Sequence, residues 1–252
     1  MTLPDRLRLP FSFDAAAIMA EAAAFAETHW ERHFNQQYYE GDWSGIALRS
    51  TGGPVALYSD PNGTFSDTAD LARCPAVRGV LAGLACDLCA VRFLRLGNGA
   101  RVREHCDYGM GVECGEVRLH LPLQSGSGAE FILAGTPLRM APGECWYVDV
   151  SRPHAVANRD ADARVHLVID CVLNDWLRSV LYAAAATAFE LFRELVAMDD
   201  SLRDRLWEIE DSENFVALSV ALAAERGLTV TPDAVRAAMA EGQRRWLDAV
   251  NQ

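Results

Sequence analysis

Between residues 91 and 173 the chain is built from short alternating segments broken by turn residues, and no other feature limits its possible folds as sharply. VRFLRL (91–96), VRLHLPL (117–123), EFILAG (130–135), PLRMAPG (137–143), ECWYVDV (144–150) and RVHLVIDCV (164–172) read as strands. Gly97–Gly99, Ser125–Gly128, Pro142–Gly143 and Asn158–Asp162 punctuate them. Alternation sends successive side chains to opposite faces of a sheet, and Gly, Pro, Asn and Asp supply the backbone angles of turns. Many short strands must bury their inner faces against one another, so a sandwich, jelly roll or barrel is expected.

Helical texture flanks this region. Residues 14–28 are rich in alanine, with Ile18, Ala22 and Phe25 at helical spacing and Asp14 as the cap. Residues 76–90 predict a second helix, weakened by Gly79 and Gly83. Gly41, Gly45, Gly52, Gly53, Pro54, Pro61 and Gly63 mark 35–65 as loops and short strands. After Asp175 the strand texture stops, and 176–198 predicts a long helix. Phe192, Leu195, Leu202, Leu206 and Trp207 continue an apolar stripe, with a cap at Asp199 or Asp200. Another helix, 213–226, is capped by Ser212 and stopped by Gly227, and Thr231-Pro232-Asp233 opens the last. The expected architecture is α+β, with N-terminal helices, an all-β core and a C-terminal helical unit.

Thirty-five acidic residues against twenty-three basic ones give a formal charge of -12. Such a surface repels phosphate backbones and anionic membranes, so neither nucleic acid nor a membrane is expected as a partner. The longest uncharged apolar run, Val180 to Phe189, falls far short of the ~18 residues of a membrane span. No charged segment leading into an apolar one opens the chain, so no export signal is expected. The seven cysteines, Cys74, Cys86, Cys89, Cys106, Cys114, Cys145 and Cys171, then suit reduced thiols in a cytoplasm. Cys86-x-x-Cys89 has no second pair at zinc spacing and reads as core thiols, and Gly97-Asn98-Gly99 lacks the lysine of a phosphate loop and reads as a turn.

His105-Cys106-Asp107 is the first local feature with chemistry in it. At the end of a strand, residues two apart share a face, so His105 and Asp107 can converge while Cys106 turns away. An imidazole and a carboxylate make two-thirds of the facial triad that non-haem Fe(II) uses; capping and surface roles are the common alternative for such a pair. His154, in SRPHAVAN, is placed to supply a third ligand, while His29 and His33, four apart in helical surroundings, could share one helix face. Arg118 and His120 sit two apart in an apolar strand, which fits either a polar cavity or an amphipathic surface strand. Asn158 to Asp162 is turn chemistry between two apolar runs, so 150–157 and 164–170 are expected to pair as a hairpin. Arg164 and His154 would then be diagonal neighbours roughly 7–8 Å apart. A guanidinium so placed can hold a carboxylate in two-pronged fashion, or simply sit exposed on the hairpin.

In this order the pieces RVREHCDYG (101–109), ECGEVRLHLPL (113–123), PGECWYVDVSRPHAVAN (142–158) and RVHLVIDCVLNDWL (164–177) resemble the aspartyl/asparaginyl beta-hydroxylase family of Fe(II)/2-oxoglutarate oxygenases. The likeness is to its bacterial branch that includes proline cis-4-hydroxylases. It spans about residues 90–177 and implies a double-stranded β-helix, a jelly roll of the cupin kind. It also implies an oxygenase domain over 1–177, followed by a helical domain over 178–252. The resemblance further implies that His105, Asp107 and His154 ligate Fe(II) and that Arg164 binds the distal carboxylate of 2-oxoglutarate. By the same matching His120 touches the co-substrate near its metal-bound end, and Arg118 faces it or a substrate carboxylate. Leu94 departs from the pattern, standing where animal members carry a serine that helps hold 2-oxoglutarate. The implied reaction consumes O2 and 2-oxoglutarate, releases succinate and CO2, and places a hydroxyl on substrate carbon.

Residues 188–242 are similar to a helical leader-peptide-like domain of the nitrogen-fixation-associated type, through Phe192, Leu195, Asp200, Leu202, Leu206, Phe215, Leu222, Ala223, Gly227 and Thr231. Such a tail is either a helical bundle that packs on the β-core or makes a homodimer, or a unit that recognises a peptide or partner enzyme. Three functions follow: hydroxylation of a free, proline-like amino acid, which is favoured; hydroxylation of Asp or Asn within a peptide; or ligand binding by a silent cupin.

Overall fold

The structure is a computed structural model of the 252-residue chain. It describes residues 3–52, 57 and 63–250, with side chains described as far as 242. Gly53, Pro54 and Pro61, among the loop signals read from sequence, lie outside the described residues. Two compact units form, Arg8–Arg178, and Ser179–Gln252 together with Met1–Leu7.

The first unit is a pair of antiparallel sheets. Its strands are β1 (Arg6–Ser12, in this unit from Arg8), β2 (Glu31–Arg32), β3 (Tyr39–Glu40), β4 (Trp43–Ser50), β5 (Ser66–Asp67), β6 (Leu88–Leu96) and β7 (Arg101–His105). Then come β8 (Glu116–Gln124), β9 (Ala129–Leu133), β10 (Thr136–Pro137), β11 (Glu144–Val148), β12 (His154–Asn158) and β13 (Arg164–Val172). One sheet runs β1-β11-β8-β13-β6-β4-β2 with β5 on β4, and the other runs β10-β9-β12-β7-β3. From β6 onward the chain crosses between sheets at every connection except the β9–β10 hairpin: β6, β8, β11 and β13 lie in the first, and β7, β9, β10 and β12 in the second. That winding is a double-stranded β-helix. Apolar residues close the space between the sheets, Phe131 and Leu133 of β9 packing with Trp146 and Val148 of β11. Leu96 of β6 packs in the same way with Val102 of β7 and Val156 of β12. In the central strand β13 eight of the nine residues, all but Val172, are buried, the polar Arg164, His166 and Asp170 among them.

The expected hairpin between 150–157 and 164–170 does not form. β12 pairs with β7 and β9, while β13 pairs with β6 and β8, so the two runs lie in opposite sheets. The Asn158–Asp162 turn chemistry serves a crossover instead. Asn158, 1% exposed, donates from Nδ2 to the carbonyls of Leu96 at 3.0 Å, Gly97 at 3.2 Å and Asp162 at 2.8 Å. Asp160 accepts from the Gly128 amide.

The helices flanking the core are shorter than their composition suggests. Helix α1 (Ala15–Ala23) is capped by Asp14 but ends before Phe25. Glu31 and Arg32 then pair with Gly45 and Ser44 of β4, so His29 and His33 share no helix face. Helix α2 (Pro75–Ala82) stops at Gly83, and Leu88–Ala90, read as helical, start β6 instead. Of 137–143 only Pro137 is in a strand. β1 and β7 carry no turn-bounded apolar alternation strong enough to have been read.

Beyond Asp175 lie α3 (Asp175–Met198), α4 (Asp200–Trp207), α5 (Ser212–Glu225) and α6 (Pro232–Val250). Asp199 caps α4 and Asp211, rather than Ser212, caps α5. Thr231 Oγ1 accepts the Ala234 amide at 3.1 Å, and Gly227 ends α5 at a φ of +72°. Phe192, Leu202, Leu206, Val216, Leu222 and Val235 form the core of this unit. Trp207, read as part of that stripe, is 87% exposed because α4 ends there, and Leu195 is also exposed. No helix of the described residues is long and apolar enough to cross a membrane.

Replacing Asn158 with Ala takes a side-chain donor from the carbonyls of Leu96, Gly97 and Asp162, of which Gly97 keeps the Ala100 amide. A loss of about 1–3 kcal/mol is expected in denaturant unfolding, and an unchanged midpoint would contradict the crossover's dependence on this side chain.

Candidate functional site

His105 closes β7 and His154 opens β12, and the two are register partners across that strand pair. Their ring centroids lie 4.2 Å apart. Each ring is tied by Nδ1 to a carbonyl two residues back, His105 to Arg103 at 2.8 Å and His154 to Arg152 at 3.0 Å. A carbonyl can only accept, so Nδ1 carries the proton and the Nε2 lone pair is left free. Phe131 stacks on the His154 ring with centroids 5.9 Å apart, which fixes the ring's plane. Asp107 follows just beyond β7, its amide donating to Val150 O at 2.8 Å and its Oδ1 3.6 Å from His105 Nε2. One donor atom from each of these three side chains lies within 4.8 Å of the others. Among the described residues no other group of histidine, cysteine or acidic side chains is so arranged. Cys106 adds no ligand atom, although it lines the same cavity.

Burial works against charge on both kinds of donor. It pushes the His154 imidazole down to about 4, which keeps it neutral and able to coordinate. For Asp107 burial alone would raise the carboxyl, but the charge and hydrogen bond of the Arg118 guanidinium hold it below the usual carboxylate range. Two imidazole nitrogens and one carboxylate oxygen on one side of a cavity are a donor set for a divalent first-row metal, with positions left open. The side chains present fit that group.

At one end of the cavity lies a charge without a counter-charge. Arg164, on β13 and 7% exposed, makes no ion pair with a carboxylate among the described residues. Its Nη2 stands 3.2 Å from His166 Nδ1, and its guanidinium carbon is 5.8 Å from the Phe131 ring centroid. Burial pushes its pKa down to about 9. His120 and His166 stand beside it with their Nδ1 atoms 3.4 Å apart, and the Nε2 of each is buried without a hydrogen-bond partner. A buried cation with unpartnered polar nitrogens is costly alone and becomes favourable when an anion enters. His166 escaped the sequence reading. Its signal was the two-residue spacing from Arg164, the same spacing that marks Arg118 and His120 on β8.

The other end is self-neutralising. Arg118 donates from Nε to Asp170 Oδ1 at 2.7 Å, from Nη2 to Asp170 Oδ2 at 3.1 Å, and from Nη1 to Asp107 Oδ2. Arg92 donates to Asp170 Oδ2 at 2.9 Å. Asp170 is 2% exposed, and although burial would raise it, Arg118 and Arg92 hold its carboxyl well below the usual range. Arg118 and His120 therefore face a cavity, not solvent. Neither Arg92 nor Asp170 was singled out from sequence, since each sits in a run that reads as ordinary buried strand.

The cavity has a volume of about 610 Å³ and contains both ends and the three donors. Arg164 and His154 line it from opposite sheets rather than as neighbours on one. Leu94 lines it too, so the wall there is apolar. His33, stacked on Trp43 with centroids 3.5 Å apart, forms part of the wall, whereas His29 packs against Phe25 away from it.

The profile of the family described as aspartyl/asparaginyl beta-hydroxylase matches residues 12–173. A stretch of 89 residues is 35% identical to the L-proline cis-4-hydroxylase of Rhizobium meliloti (strain 1021), covering 33% of this chain and 31% of that protein. The chain thus matches about a third of that relative's length. Among solved structures, a 2OG-Fe(II) oxygenase family oxidoreductase from Burkholderia pseudomallei is similar at a TM-score of 0.46 and 16% identity, over 68% of this chain and 86% of that one. A Pseudomonas putida prolyl-4-hydroxylase is similar at 0.40 and 15%, over 64% and 86%.

The buried imidazoles give the metal-free chain a pH dependence whose sign is fixed. Burial lowers His33 to about 3, His154 to about 4, and His120 and His166 well below the ordinary 6.5. Below pH 6.5 the unfolded chain takes up protons that the folded chain refuses, so stability present above that pH is lost as pH falls toward 4. Urea midpoints measured with a chelator should fall steadily across this window. A flat profile would contradict neutral, buried imidazoles.

Proposed function

The chain belongs to the aspartyl/asparaginyl beta-hydroxylase family, and from that premise we propose that it is an Fe(II)- and 2-oxoglutarate-dependent hydroxylase acting on a free, proline-like amino acid. The observation that carries this reading is the buried Arg164, without a carboxylate partner among the described residues, in the same cavity as the donors of His105, Asp107 and His154. A metal alone would leave that cation unpaired. A dicarboxylate that chelates the metal at one end and reaches Arg164 with the other satisfies both.

His105, Asp107 and His154 would hold the iron, and Arg164 would hold the distal carboxylate of 2-oxoglutarate. When bound, the metal and co-substrate supply the oxidation, converting O2 and 2-oxoglutarate to succinate, CO2 and a hydroxyl on substrate carbon. The protein's own part is placement. His166 Nδ1 braces the Arg164 guanidinium, and the unpartnered Nε2 of His120 is available to the co-substrate near its metal-bound end. Arg118 spends three of its five N–H groups on Asp170 and Asp107, leaving two to face a co-substrate or substrate carboxylate. Phe131, Leu94 and Val156 supply apolar wall, which thins water around the reacting carbon.

The free-amino-acid substrate is supported by the relative named L-proline cis-4-hydroxylase and by a cavity of about 610 Å³, within the usual span for small ligands. All seven cysteines are free thiols, which supports a reducing compartment such as the cytoplasm.

With ferrous iron and 2-oxoglutarate, succinate should form in step with hydroxylation of L-proline, and His154→Ala should abolish it with the fold retained. Full turnover in that variant would contradict the triad, and coupling to peptides alone would overturn the free-amino-acid substrate. Arg164→Lys loses the two-pronged grip and should raise KM for 2-oxoglutarate roughly 10–100-fold. An unchanged KM would remove Arg164 from the co-substrate site.

A further inference from the structure

Asp107 stands just outside regular strand. It lies beyond the end of β7, followed by Tyr108, which is 95% exposed, and by Gly109 and Gly111 at φ values of +80° and +113°. Its backbone is tied by the amide bond to Val150 O. Such a short side chain, left alone, could offer a metal either one oxygen or both. Here one oxygen is already engaged. Oδ2 accepts from Arg118 Nη1, while Oδ1 faces His105 Nε2.

The rigidity behind that contact can be traced to the centre of the sheet. Asp170 lies on β13 with Arg118 as its register partner on β8, and on the β6 side it sits at a break in register between Ile169 and Cys171. Both carboxylate oxygens of Asp170 meet the Arg118 fork, through Nε and Nη2, and Arg92 clamps Oδ2 from the other side. A two-pronged guanidinium–carboxylate pair fixes orientation as well as distance. The only donor of Arg118 aimed elsewhere in this network is Nη1, and it reaches Asp107.

We infer that Arg118 and Asp170 are positioning residues for Asp107: the relay Arg92–Asp170–Arg118–Asp107 occupies one oxygen of that carboxylate and aims the other at the two imidazoles, so that Asp107 binds the metal through a single oxygen. The inference rests on the metal reading of the preceding section. It assigns Asp170 a role although it touches neither metal nor substrate. It also explains why arginine is needed at 118: an ammonium has no planar fork with which to meet Asp170 on two atoms and Asp107 on a third.

Cobalt(II) is a suitable probe, because its d–d absorption reports ligand number and geometry without turnover. The full-length chain, its Arg118→Lys and Asp170→Asn variants, and His154→Ala are titrated with cobalt, each with its thermal midpoint recorded. Arg118→Lys should weaken cobalt binding roughly 10–100-fold, the range for loss of a partner that orients a metal ligand, and alter the d–d bands. Asp170→Asn should shift both in the same direction; if it fails to fold with two arginines left unpaired, Arg118→Lys, which keeps the charge, decides the matter. Wild-type affinity and spectrum in Arg118→Lys would overturn the relay, even if the thermal midpoint fell. A wild-type chain that binds no cobalt, or a His154→Ala chain that binds it as tightly, would overturn the metal reading itself.

Discussion

Charge placed between two β-sheets must find a counter-charge within the sandwich or bring one in, and the interior of this protein does both. Asp170, toward the C-terminal end of β13, is met by Arg92 and Arg118, which lets a carboxylate and two guanidinium groups share a site with almost no access to water. Breaking one partner of such a set leaves the others buried and unpaired, which costs about 3–5 kcal/mol. Arg164 has no acidic partner among the described residues. The closed network stabilises one end of the cavity, and at the other end Arg164 is the cation that an entering carboxylate would meet.

The winding of the chain makes that contrast possible. Because β12 and β13 belong to opposite sheets, His154 and Arg164 approach the cavity from different walls and can hold a molecule between them. A hairpin would have set them side by side. Asn158 secures the crossover through three carbonyls, so the residue that looks like turn punctuation holds the two walls in relation. The donors at His105 and His154 then meet as register partners of β7 and β12, with their rings oriented by backbone carbonyls and by Phe131.

Much of this was legible in the residues. Period-two alternation located β6, β8, β9, β11 and β13, and the caps and glycine stops located α4, α5 and α6. His105 and Asp107 were legible as a pair two residues apart at a strand end, with His154 as a third donor in a later segment, and the structure brings the three side chains together. Pairing was not, because the same turn residues serve a hairpin and a crossover, and only contacts distant in sequence choose between them. Asp170 and Arg92 were hidden for a related reason: a buried ion pair whose members are 78 residues apart leaves no local signature. His33 was misplaced because helical composition around it yielded to pairing of Glu31 and Arg32 with β4.

The family and the cavity converge on one claim, that a single divalent iron and a dicarboxylate share the space between the two sheets. Anomalous scattering at the iron edge, from crystals grown without oxygen in ferrous salt and 2-oxoglutarate, examines it most directly. The account predicts one iron peak among His105, Asp107 and His154, with a single Asp107 oxygen bound and the far carboxylate of the co-substrate against Arg164. Iron held elsewhere, or a co-substrate that leaves Arg164 bare, would contradict it.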